Sequence, residues 1–116
     1  MKHVLTMGSL LFVAIAAGCA SSPALRTESS TSAIRAAEEV GASEVPRASL
    51  HLQLAKEEVA RAKDLSDRGA KDEAASQLLR AEADAELAIL LSREQAEKLE
   101  SAQAMERVRQ LQNDNR

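Results

Sequence analysis

The stretch PRASLHLQLAKEEVARAKDLSDRGAKDEAASQLLRAEADAELAILL, Pro46 to Leu91, decides the fold. Its first half carries Ala48, Leu52, Ala55, Val59, Ala62 and Leu65 at intervals of three and four, the spacing of one helical face, and Leu50 and Leu54 widen that face. Beyond Gly69 the pattern returns in Ala74, Leu78, Ala81, Ala85, Ala88 and Ile89, thickened by Leu87, Leu90 and Leu91. Pro46 suits the first turn of a helix and Ser43 could cap it, while Gly69 suits the residue just past a helix end. The reading predicts one helix from Pro46 to about Arg68 and another starting near Ala70. With only Asp67-Arg68-Gly69-Ala70 to connect them, the two should fold back as an antiparallel hairpin. Alanine at most contact positions lets helix axes come close but removes little apolar area per residue. Leu52, Leu54, Val59, Leu65, Leu78, Leu87, Ile89 and Leu91 are therefore expected to supply most of the burial.

Toward the C-terminus neither Pro nor Gly interrupts the last helix, so it should overshoot its partner by roughly 20 residues. In that overhang Ala96, Leu99, Ala102, Met105, Val108 and Leu111 recur every three residues, a spacing that drifts around a helix instead of making a stripe. It reads either as a solvated end or as a surface for a partner or a second copy, without the heptad that a coiled coil needs. Toward the N-terminus, Ala33, Ala36, Ala37 and Val40 predict a short helix over Ser32 to Gly41, with Gly41 as its stop and Ser29 to Ser32 as candidate caps. Ahead of it ASSPALRTESSTS, Ala20 to Ser32, is rich in Ser and Thr and lacks any apolar period, the composition of a flexible tether.

Residues 1–19 have the three parts of a secretory signal: Met-Lys-His, an apolar run from Val4 to Ala17 broken only by Thr6, Gly8 and Ser9, and then Gly18-Cys19. The run falls short of the about 20 residues a bilayer span needs. Cys19, the single cysteine of the chain, stands at its end. Ala16-Ala17-Gly18-Cys19 resembles the lipobox of bacterial lipoproteins, with Ala16 where Leu is commonest. That resemblance implies cleavage between Gly18 and Cys19 and an S-diacylglycerol and N-palmitoyl cysteine at the mature N-terminus. Two or more acyl chains would make a stable anchor where one would hold only transiently. Ala20 after the cysteine, by resemblance to enteric sorting rules, favours the outer membrane, with the protein on its periplasmic face.

The expected organisation is all-α: a cleaved N-terminal signal helix over 1–18, a lipidated cysteine and tether over 19–31, and an Ala-rich domain over 32–116, made of a short helix, the antiparallel hairpin and the overhang. The segments AIRAAEEVGASEVPRASLHLQLAKEEVARAKDL and GAKDEAASQLLRAEADAELA resemble a family of proteobacterial envelope lipoproteins grouped under the domain of unknown function DUF4398, over roughly Ser32 to Leu91. Members often continue into a peptidoglycan-binding domain of the OmpA type; this sequence ends at Arg116 without one, and the resemblance implies no catalytic residue. Gly-x-x-x-Glu-Ala at Gly69 is like half of a tetratricopeptide repeat, in a single copy where about three are needed. The end, Asn-Asp-Asn-Arg, lacks the lysine that joins the small murein lipoprotein to peptidoglycan.

Composition narrows the chemistry. Trp and Tyr are absent, the one Phe lies in the leader, and 15 Lys and Arg against 18 Asp and Glu are interleaved along the helices, so no nucleic-acid surface is expected. His51 is the only histidine beyond the leader, so no Cys-His nucleophile pair can be assembled. Glu82 and Glu86 lie one turn apart without the Glu-x-x-His motif of a di-metal bundle, and ion pairing with neighbours such as Arg80 and Arg93 explains them more simply. The expectation is a non-enzymatic envelope protein without cofactor or metal. It would be held to the membrane by its lipid and would work with an envelope protein or peptidoglycan-associated partner; a self-associating coiled-coil spacer is the alternative.

Overall fold

The computed structural model describes residues 25–116; the signal segment, the cleavage site at Gly18 and Cys19 lie outside the described residues. Among the described residues the chain is all-helical, with three α-helices: α1, Glu28–Glu39; α2, Pro46–Asp67; and α3, Lys71–Asp114. A 3-10 turn, Ala42–Glu44, joins α1 to α2.

The punctuation read from Pro and Gly holds. Gly41 takes a left-handed φ of 75° and donates its N–H to Glu38 O at 3.0 Å, which ends α1. Val45 is extended, as the residue before a proline prefers, and Pro46 opens α2. Ser43 lies inside the 3-10 turn, and no side chain caps α2. At the far end Gly69 has φ 83°, its N–H reaches Ser66 O at 2.9 Å, and the Ala70 N–H reaches Leu65 O at 2.9 Å. This pair of reversed hydrogen bonds is the Schellman arrangement, which satisfies the last carbonyls of a helix while turning the chain sharply.

α1 begins at Glu28, four residues before the expected Ser32, and so takes in the end of the Ser/Thr stretch. The hydroxyls there do not cap amides. Ser30 Oγ donates to Thr27 O at 3.0 Å and Thr31 Oγ1 to the same carbonyl at 2.8 Å, bonds that keep Ser and Thr inside a helix. Ser30 is fully buried, and Glu28 places a negative charge at the positive end of the helix dipole. Composition alone, which predicted a tether, could not register that tertiary packing.

Two buried clusters hold the helices together. One joins Val59 and Ala62 of α2 to Ala74, Leu78 and Ala81 of α3, with Leu25, Ile34 and Leu65 against it. The other joins Ala48 and Leu52 to Ala88 and Leu91, with Ala37 and Ala42 from the preceding segments. Every residue of the two predicted stripes except half-buried Leu65 and Ile89 is buried, and apart from Leu52, Val59, Leu78 and Leu91 the buried apolar side chains are all alanine. Leu54 and Leu87, expected in the core, are 37% and 38% exposed. Alanine contacts make a narrow seam, so leucines on its flank stay partly in water. α1 packs on the side of α3 that carries Ile89, and Leu87, about 200° away around the helix, is left uncovered.

α3 has 44 residues against 22 in α2, about 66 Å against 33 Å of axial length. The last buried position of α3 is Ser92; beyond it every residue is exposed except half-buried Ala104.

A Cβ added at Gly69 would meet nothing within 4 Å, so a substitution there tests backbone conformation alone. Gly69→Val is expected to cost about 1–2 kcal/mol through the left-handed φ, lowering Tm by roughly 4–8 °C per kcal/mol. Thermal melts followed by circular dichroism check this; an unchanged melt would mean that the turn can rebuild without a left-handed residue.

Candidate functional site

Polar side chains line one edge of the α2/α3 seam. His51 and Glu58 stand two turns apart on α2, and Gln77, Arg80 and Asp84 fall at comparable spacing on α3, so all five reach the same side of the contact. His51 Nδ1 and Asp84 Oδ1 are 2.7 Å apart, both side chains about a quarter exposed. Glu58 is buried, at 6% exposure, and its Oε1 lies 3.3 Å from Arg80 Nε. Glu58 Oε2 and Gln77 Oε1 are buried with no hydrogen-bond partner.

The electrostatics follow from that placement. Burial pushes the Glu58 carboxyl above its ordinary range, and the nearby negative charge of Asp84 pushes the same way. Arg80 and Arg61 act against the rise without cancelling it. Protonated, Glu58 can donate to an acceptor; ionised, it leaves a buried oxygen unsatisfied beside a second carboxylate. Two acids of unequal environment near a histidine are a pattern that catalysis also uses. Here the cluster lies along the seam, and two cavities among the described residues lie elsewhere.

The larger cavity, an open groove of about 450 Å³, lies beside the α2 to α3 connection and is lined by Leu25, Arg26, Lys71, Asp72 and Leu79 among others. The smaller, about 230 Å³, lies where Pro46 and Arg47 meet Leu91 and Lys98. No group of three or more His, Cys, Asp or Glu among the described residues is placed to hold a metal ion. Glu82 and Glu86 do not act as a pair: half-buried Glu82 accepts a hydrogen bond from Ser29 Oγ at 3.0 Å, and Glu86 is exposed. Arg80 turns away from both toward Glu58 on the other helix.

Sequence reasoning missed the cross-helix pairs His51 with Asp84 and Glu58 with Arg80. A signal was there, since the members of each pair stand at nearly equal numbers of residues on either side of the Gly69 turn. Sliding one helix past the other about that turn would have put them opposite each other.

A group whose folded-state pKa is raised contributes stability that is complete below its unfolded value and is lost as pH rises through the folded value. Compared with Glu58→Gln, the wild-type chain is therefore expected to lose melting temperature as pH rises from about 4 to 8, with the variant as stable or more stable at the upper end. Parallel wild-type and variant curves would show that Glu58 has no shifted titration. No family model, no curated protein and no solved structure matches this chain.

Proposed function

We propose that the protein is a lipoprotein anchored in the bacterial outer membrane, facing the periplasm, whose helices form an antiparallel hairpin that serves as a non-enzymatic structural or interaction module of the envelope. The observation that carries this reading is the position of Cys19: the single cysteine follows directly on the apolar run and the small residues Ala16, Ala17 and Gly18. Acylation there would consume the thiol and leave a lipid foot. Pairing of His51 with Asp84, of Glu58 with Arg80, and of Val59 and Ala62 with Ala74 and Leu78 is consistent with helices folding back about Gly69. The larger cavity is an open groove and the polar side chains of the seam pair with one another, features of a body that presents surfaces more than it encloses a substrate. No helix of the described residues is long and apolar enough to cross a membrane.

A second reading, a self-associating spacer between outer membrane and cell wall, rests on the uncovered part of α3, where Leu99, Met105, Val108 and Leu111 are all more than half exposed.

Cys19→Ala is expected to leave either an uncleaved precursor, which keeps the apolar run Val4 to Ala17, or a soluble product; unchanged maturation and detergent-phase partitioning would overturn the lipid assignment. Intact mass spectrometry of the wild-type protein should show a chain starting at an acylated Cys19. A free thiol with the initiator methionine retained would overturn the lipoprotein reading. Sedimentation at micromolar concentration separates the two functional readings: a monomer sinks the spacer, and a stable dimer supports it.

A further inference from the structure

The position of Leu25 gives the molecule a direction. Half-buried Leu25 packs with Leu65 against the cluster that contains Ala62, Ala74 and Leu78, and Arg26 shares a groove with Ser66 and Lys71. These residues flank the Asp67 to Ala70 connection, so the chain enters the fold at the turn end of α2 and α3. α1 then runs alongside α3 in the same sense: Ser29 bonds Glu82 near its start, and Ala37 near its end joins the cluster of Ala88 and Leu91.

Cys19 precedes Leu25 by six residues, which at full extension span no more than about 20 Å. From Leu78, a member of the cluster against which Leu25 packs, α3 continues for 36 residues to Asp114, about 54 Å along its axis. An anchor on Cys19 can therefore sit close to the turn end and never close to the tip.

Resting on the lipoprotein reading, we infer that the molecule is polar with respect to the membrane: the Asp67 to Ala70 turn faces the bilayer, and α3 beyond Ser92 is the membrane-distal arm. The arm has no side on which to lie down. Its exposed apolar residues Leu99, Met105, Val108 and Leu111 stand among Glu97, Glu100, Arg107 and Arg109 without gathering on one face, whereas a helix lying in the interface needs a sustained apolar side. The same polarity constrains self-association. Copies anchored in one surface point the same way, so their arms could pair only in parallel, setting Glu97 against Glu97 and Arg107 against Arg107 with no heptad seam to offset the repulsion.

The test uses the protein processed in cells and reconstituted into vesicles that carry an acceptor dye in the bilayer. With the Cys19 thiol acylated, a cysteine introduced by Asp67→Cys or Gln112→Cys is the only free thiol for a donor dye. Energy transfer from position 67 is expected to exceed that from position 112 several-fold. Equal or reversed transfer in protein that still floats with the vesicles overturns the polarity while leaving the anchor standing. Failure to float, with dye attached at Cys19 itself, overturns the anchor and the polarity together.

Discussion

Close approach of α2 and α3 through alanine is the constraint on which the other features depend. Ala48, Ala55, Ala62, Ala74, Ala81, Ala85 and Ala88 are fully buried, and a methyl group is all that each places between two backbones. Close axes give dense packing but little apolar area, since hydrophobic stabilisation scales with the surface removed from water. Four larger residues, Leu52, Val59, Leu78 and Leu91, therefore carry a disproportionate share, and the seam stays narrow enough that Leu54 and Leu87 remain on its rim. A small domain built this way depends on regular helices and well-made helix ends, which is why the hydrogen bonds around Gly69 and the extended Val45 before Pro46 matter as much as any core residue.

The polar edge of the seam adds a different kind of constraint. An interface of repeated alanines is nearly self-similar under a shift of one or two turns, and packing alone discriminates poorly between such registers. His51 against Asp84 and Glu58 against Arg80 are both made in the register the chain adopts, and a shift of one turn would move each pair out of line. Partly buried polar contacts can help to specify an arrangement even where they add little net stability. Glu58 illustrates the tension, because the position that fixes the register also leaves one of its oxygens without a partner.

What could be read in the sequence, and what could not, divides along the same line. The two apolar stripes, the Pro46 start, the stops at Gly41 and Gly69 and the excess length of α3 are local or periodic properties, and residue spacing is enough to reveal them. The start of α1 depends on Ser30 being buried against other helices and on hydroxyls that bond backward to Thr27, so a rule that treats Ser and Thr as linker placed it too late. The loss of Leu54 and Leu87 from the core reflects how narrow an alanine contact is, a property of pairs of helices and not of either stripe. The cross-helix charges needed a register, and no single helix contains one.

Ser92 marks the point where α3 passes from packed to solvated, and it does so without a break in the backbone. Its buried hydroxyl donates to the Ala88 carbonyl at 2.9 Å, a contact that tends to bend a helix slightly. On one side of that point tertiary contacts hold the helix in place; on the other its order rests on intrinsic propensity and on pairs such as Lys98 with Glu94, which add only a few tenths of a kcal/mol each. Amide protons past Ser92 should therefore exchange in local openings that leave the packed half untouched. A sideways pull on the far half, in turn, would be felt as torque on the layer of Ala88 and Leu91.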